Sequence, residues 1–330
     1  MAWFVINYNN GNIDNFVYDN LSEEEKEQKI HYPSILKFKG EDTVMERQYK
    51  EYDPIELEKL QSVQLEILKD FISICKKYDL NYIMEGGTGI GVVRHQGFIP
   101  WDDDVDVSMP RKDYNVFLTV LEEEMGDKYK ILTPEIDERY ACNVTKMQKK
   151  GTKFVPYISK DMKCDQCISI DIFPLDKVSK DKKKRSRQLK KTWILNKMIF
   201  LCGTSEPIIP LKGFSKKAAP VVIRITHWML KLFRISPKTL YRILEREEQR
   251  YNETDSHYYN NFRSIYASHQ FVSQQELFPL REMKFEGITV NVPNNYDAYL
   301  TRIFGDYMKM PPEEKRVNHC PYLLDFGEEK

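Results

Sequence analysis

The sequence predicts an α/β protein (α+β in its mixing) with a mixed sheet at its centre, and three observations carry that prediction. Apolar residues at three- and four-residue spacing alternate along the chain with short runs of period two, so helices and strands are intermixed. Two period-two runs each carry carboxylates on one face: Asp104 to Met109, and Ile168 to Phe173 with Asp171 among isoleucines. The 330 residues, 41% apolar and 30% charged, have the balance of a globular chain. No apolar run reaches the roughly 18–20 residues that cross a bilayer.

Taken in order, residues 1–52 are polar and irregular and read as an N-terminal extension packed on the body. Their opening, MAWFVINYNNGNIDNF, lacks the basic start and long apolar stretch of a secretory signal. A core is expected over 53–176. It opens at Asp53-Pro54, a capping residue followed by a first-turn proline. Leu57, Leu60, Ile67, Phe71, Ile74 and Tyr78 then mark one buried helical face. Asn81 to Glu85 reads as a strand, Gly86-Gly87 as the turn after it, and Thr88 to His95 as a short helix stopped at Gly97. Pro110 opens a helix through about Glu124. Residues 177–250 read as a basic helical insert with helices at 185–203 and 217–235, and 251–330 as the part that completes the core. There Phe285 to Val292 is strand-like up to Pro293, and Tyr296 to Phe304 is a helix closed by Gly305.

The formal net charge of zero hides a division. Between Lys177 and Arg250 stand 20 Lys/Arg against 5 Asp/Glu, so an acidic body carries a basic insert. A basic surface attracts polyanions. Within it VVIRITHWMLKLF, 221–233, joins apolar bulk to Arg224, Lys231 and a tryptophan, a composition suited either to a membrane interface or to a packed helical hairpin. The insert has no recognised nucleic-acid motif, and nucleic acid is not an expected partner. Six cysteines without framework spacing fit a reducing cytoplasm. Cys164-x-x-Cys167 with Cys142 supplies at most three ligands of the four a structural zinc takes, so buried thiols are expected instead.

The segment MEGGTGIGVVRHQGFIPWDDDVDVSM, 84–109, concentrates the chemistry. Asp102, Asp103, Asp104 and Asp106 place four acids in five positions, which costs free energy through like-charge repulsion unless a cation offsets it. Asp104 and Asp106, at i and i+2, project from one face about 6.5–7 Å apart and suit Mg²⁺ or Mn²⁺. Asp102 and Asp103 either extend the site or form an exposed turn, with supporting roles favoured. Gly86, Gly87 and Thr88 form a turn into a helix, where backbone N–H groups can approach a phosphate. Arg94 is a candidate phosphate clamp, because its planar fork pairs two oxygens. His95 is a candidate for orienting an aspartate or meeting the acceptor, and Lys146 for reaching donor phosphate. Each has a plainer alternative as a structural hydrogen bond or ion pair.

The order strand, Gly-Gly turn, helix, Asp-apolar-Asp-apolar strand is similar to the layout of the nucleotidyltransferase superfamily. GGTGIGVVRHQGFIPWDDDVDVSMPRKDY, with SIDIFPLD at 169–176 and VPNNYDAYLTRIFGDYMKMPPEEKRVNH at 292–319, closely resembles the LicD family, which includes the fukutin-type proteins. One departure is Ile90-Gly91, where the family more often has leucines. The resemblance implies a nucleotidyltransferase-like mixed sheet with flanking helices. It also implies transfer of phosphocholine or another phospho-alcohol from a CDP-linked donor to a sugar hydroxyl of a cell-surface glycan, lipopolysaccharide or teichoic acid precursor. Asp171 would be the third metal carboxylate and would take the acceptor's proton directly or through water. His319 matches a family histidine and would close over the site. The acceptor would in some cases be lipid-linked, placing a cytoplasmic protein at the inner face of the membrane through 177–250. Rival readings are a metal-dependent glycosyltransferase using a nucleotide sugar, and a non-catalytic polyanion-binding scaffold.

Overall fold

A computed structural model describes residues 52–205, 214–264, 266–268, 270–313, 316, 318–319 and 321–327. The N-terminal extension therefore lies almost wholly outside the described residues. Helix α1 (Pro54–Lys77) starts where Asp53 accepts the N–H of Ile55 at 2.8 Å, with Glu56 in its first turn and Lys76 and Lys77 in its last to complement the helix dipole. Strand β1 (Ile83–Met84) is shorter than the sequence suggests, and α2 (Gly86–Ile90) begins at the first glycine. It runs into a π-turn, Gly91–His95, which Gln96 ends in the left-handed conformation. Next come β2 (Asp106–Pro110), α3 (Arg111–Met125), β3 (Tyr129–Leu132), β4 (Thr145–Lys149), β5 (Lys153–Pro156) and β6 (Ser169–Lys177). The insert holds three helices rather than two: α4 (Lys182–Gly203), α5 (Phe214–Leu232) and α6 (Pro237–Glu248). The third starts at Ser236, whose side chain caps Thr239, ahead of Pro237.

The C-terminal part supplies β7 (Tyr258–Asn260), β8 (Val272–Ser273), α7 (Gln274–Leu277), β9 (Arg281–Phe285), β10 (Ile288–Val292), α8 (Tyr296–Phe304) and β11 (Pro321–Asp325). The strand expected over Phe285 to Val292 is instead a hairpin. Ile288 pairs with Phe285 across Glu286-Gly287, both at positive φ (46° and 76°), which is the tight two-residue turn that matches strand twist.

The sheet runs β1-β2-β6-β4-β3, with β7 and β8 continuing from the far end of β6. Only β2 and β6 are parallel, so the sheet is mixed. In β6 all residues but the last are buried, as expected of a central strand covered on both faces. Leu60, Ile67, Leu68 and Phe71 of α1 pack with Val105, Val107, Ile170 and Ile172 in the main core. The insert is fastened to this sheet by charge. Arg111 holds Asp176 (2.5 Å), Glu245 (2.7 Å) and Glu248 (3.0 Å), and the buried Arg263 holds Glu248 at 2.8 Å and also pairs with Glu245.

Candidate active site

Register decides the centre of the site. Asp106 of β2 lies opposite Asp171 of β6, and Lys146 of β4 lies opposite Asp171 from the other side. Residues directly opposite on paired strands share a face, so these three side chains form one row across strands about 4.8 Å apart. Asp171 is buried, and the Lys146 ammonium contacts its Oδ1. Burial works against the charge on Lys146, but the Asp171 carboxylate outweighs it and raises the lysine's pKa. Lys146 is thus occupied with a carboxylate in this structure rather than standing open to a phosphate.

The acids of 102–106 divide by parity. Asp102, Asp104 and Asp106 fall on one face of the extended chain, and Asp103 falls on the other with Val105. Burial first, and then repulsion from neighbouring carboxylates, Asp104 foremost, push the Asp102 and Asp106 carboxyls well above the usual range. Asp106 Oδ1 is buried with no hydrogen-bond partner. Asp103 turns the other way: its carboxylate accepts from the Tyr52 hydroxyl at 2.8 Å and from the His319 backbone N–H at 2.9 Å. His319 Nδ1 lies 2.8 Å from Asp103 and 3.3 Å from Asp104, so the C-terminal segment does reach the acids. Gln61 and Gln64 of α1 donate to the carbonyls of Asp102 and Asp103, both at 2.8 Å, and fix the backbone beneath.

The glycine turn presses against these carboxylates. Gly86 has φ +59°, and a Cβ there would sit 3.1 Å from Asp106 Oδ2; one on Gly87 would sit 3.2 Å from Asp102 Oδ2. The positive φ favours glycine at the first, and at both a Cβ would fit only if the carboxylate gave way by a few tenths of an ångström. Thr88 Oγ1 accepts the Asp106 N–H at 2.9 Å, so Thr88 ties the turn to β2. Gly91, the departure from the resembled pattern, also has a steric reason: a Cβ there would meet the Gly97 carbonyl oxygen at 2.6 Å.

Arg94 and His95 stand apart from the row. Arg94 donates to the carbonyl of Tyr307 at 2.6 Å and, through Nε, to His95 Nε2 at 3.0 Å. It secures the segment after α8. Burial and the adjacent Arg94 charge lower the His95 pKa, in keeping with a neutral acceptor ring.

One site residue escaped the sequence reading. Glu85, buried between β1 and the turn, accepts from Asn261 Nδ2 at 2.9 Å and from Gln270, while its Oε2 has no partner. Burial pushes its carboxyl up to about 7 against the pull of those two amides. The available signal was an acid closing an apolar strand directly before Gly-Gly.

Among the described residues no three His, Cys, Asp or Glu side chains already stand at metal-ligating geometry. The donor set nonetheless suits a hard divalent cation: oxygen ligands only, an orphaned buried Asp106 Oδ1, and acids whose mutual repulsion such an ion would relieve. Cys142 and Cys164 share a small apolar cluster with Tyr140 and Phe173 instead of a polar centre.

Residues 79–206 match the family described as LicD/FKTN/FKRP, nucleotidyltransferase domain. The chain carries a LicD-family domain. The matched stretch holds Glu85, the glycine turn, the aspartates, Lys146 and Asp171, and it continues through α4. The chain is 29% identical over 272 residues to the lipopolysaccharide cholinephosphotransferase LicD of Haemophilus influenzae, covering 80% of this chain and 95% of that protein. An uncharacterized protein of Rickettsia typhi is 31% identical over 139 residues, covering 41% of this chain and 44% of its own. One from Rickettsia prowazekii is 38% identical over 71 residues, covering 22% and 26%. Asn261 and Gln270, which bond Glu85, and His319, which bonds Asp103, lie outside the matched domain.

Proposed function

We propose that the protein is a metal-dependent phosphotransferase that moves a phospho-alcohol, phosphocholine first among them, from a CDP-activated donor to a sugar hydroxyl and releases CMP. The acceptor is a cell-surface glycan, a lipopolysaccharide or teichoic acid precursor, and where it is lipid-borne the enzyme meets it at the inner face of the membrane. The observation that carries this reading is the row Asp106–Asp171–Lys146 set beside a glycine turn that leaves no Cβ between backbone and carboxylates. The similarity to a protein named as a cholinephosphotransferase supports the choice of alcohol.

In this mechanism Asp104, Asp106 and Asp171 would hold Mg²⁺ or Mn²⁺. When bound, the metal neutralises charge on the donor's pyrophosphate and its leaving group. Gly86, Gly87 and Thr88 admit the phosphates closely, and His319 fixes the acids from the C-terminal side. The Lys146 ammonium lies against Asp171 Oδ1, and the Asp171 carboxylate takes the proton, directly or through a water, as the acceptor oxygen attacks phosphorus. The phosphorus–oxygen bond to CMP breaks, and its electron pair leaves with CMP.

The test is CMP release from CDP-choline, CDP-glycerol and CDP-ribitol, beside UDP-sugars, with and without Mg²⁺. Metal-dependent release from a CDP-alcohol supports the reading. Turnover of UDP-sugars alone would make the protein a glycosyltransferase, and no turnover of any donor would leave the scaffold reading standing.

A further inference from the structure

Helix α5 is apolar on two opposite sides. Ile223, His227 and Leu230 are buried, and His227 Nδ1 lies 2.6 Å from the Leu201 carbonyl of α4. At about 100° per residue, Val221, Val222, Ile225, Trp228, Met229 and Leu232 fall on the opposite arc. Of these, Val221, Ile225, Trp228, Met229 and Leu232 line one open groove together with Arg224, and Trp228 is 63% and Leu232 77% exposed.

The charges around that arc are of one sign. No Asp or Glu occurs anywhere in α5, and Arg224 and Lys231 border the apolar residues on one flank. Lys231 Nζ lies over the Trp228 ring, 5.3 Å from its centroid. The insert's acids are engaged elsewhere. Asp181 caps Lys184 in α4; Glu245 and Glu248 pair with Arg111 and Arg263; Glu247 pairs with Arg250 and Lys191; and Glu206 lies outside the described residues. Lys182, Lys183, Lys184, Lys190 and Lys191 of α4 are exposed. No described helix is long and apolar enough to cross a membrane. An apolar arc with a tryptophan, bordered by cations on one flank and free of acids along its helix, has the chemistry of an interfacial helix.

We infer that the outer face of α5 is a membrane-binding surface, seating Ile225, Trp228 and Leu232 among the headgroups of an anionic bilayer. The inference rests on the proposed function only for its purpose, bringing the enzyme to a lipid-borne acceptor. Vesicle binding is measured without any donor, so failure here is distinct from failure of the transfer reading.

The experiment is co-sedimentation of the full chain with vesicles of equal parts phosphatidylcholine and phosphatidylglycerol, and with phosphatidylcholine alone, at low and high salt. Binding is expected to the anionic vesicles, weaker at high salt, and reduced about a hundredfold in the Ile225→Asp/Trp228→Asp double variant. Lys231→Glu, which removes no apolar contact from the core, is expected to weaken binding to anionic vesicles selectively. CMP release onto a soluble acceptor is expected to be unchanged in both variants. Absence of binding to anionic vesicles at low salt overturns the inference, as does binding that neither variant alters. Lipid-free self-association that the double variant abolishes, with no vesicle binding, assigns the face to a second copy of the chain.

Discussion

His319 and Asp103 meet across 216 positions of chain, the histidine giving both its backbone N–H and its ring to one buried carboxylate. Asp103 in turn sits between two acids whose carboxyl groups face the site, so this contact sets where the run of aspartates points.

His319→Ala keeps the backbone hydrogen bond and removes the ring. A hydrogen bond to a charged group contributes about 1.5–3 kcal/mol, and the urea midpoint is expected to fall accordingly. CMP release falls further, because Asp104 also loses its neighbour at 3.3 Å. An unchanged urea midpoint together with full activity would show that the contact has no consequence.

Asp106→Asn separates stability from activity. The substitution removes a carboxylate that burial and Asp104 oppose, so the metal-free variant is expected to be the more stable protein in a urea titration. Activity should fall about a hundredfold or more, and Mg²⁺ should no longer raise the melting temperature. Full activity in this variant would remove Asp106 from the metal site.

Glu85 gives the stability a pH dependence of known sign. Its carboxyl is raised from 4.5 to about 7 in the folded protein, so the folded state binds the proton more tightly than the unfolded one. Its stabilising protonation is fully present below 4.5, and stability is lost as pH rises through about 7. The full difference is about 3 kcal/mol. Glu85→Gln retains acceptors for Asn261 and Gln270 and should flatten this part of the profile, making the variant the more stable protein at pH 8. Parallel profiles for the two proteins would refute the assignment.

Lys146→Met leaves Asp171 buried without its lysine. Removing one partner of a buried pair costs about 3–5 kcal/mol, and a melting curve should show most of it. Saturating Mg²⁺ is expected to restore part of the loss if Asp171 is a metal ligand. A loss that Mg²⁺ leaves untouched would place the metal elsewhere.

The α/β class was readable because period-two and period-three-to-four patterning survive in a single sequence, as in Asp104 to Met109 and along α1. The same patterning named Asp104 and Asp106 as candidates, and the family resemblance added Asp171. The row itself depends on strand register, which no local pattern encodes: nothing near Lys146 says that it faces Asp171. Likewise Asp103 looked like one more acid of the run, because its partners Tyr52 and His319 lie far away in sequence. Glu85 was hidden by its own strand, where a buried acid looks like the strand's polar end. The β9–β10 hairpin was missed because its turn is Glu286-Gly287, without the asparagine or aspartate that usually announces one. The third insert helix, α6, was missed because the acids of its inward face read as a solvated surface, whereas Glu245 and Glu248 pair with Arg111 and Arg263.

The distance between Asp103 and His319 also has a consequence for synthesis. At about 5–20 residues per second, the ribosome delivers the aspartates some tens of seconds before the histidine. During that interval the acids repel one another without the contact that sorts them, and Asn261 and Gln270 are not yet beside Glu85 for much of it. A nascent chain that has passed Asp171 but not yet reached His319 holds every aspartate of the centre and still lacks the contact that orders Asp103.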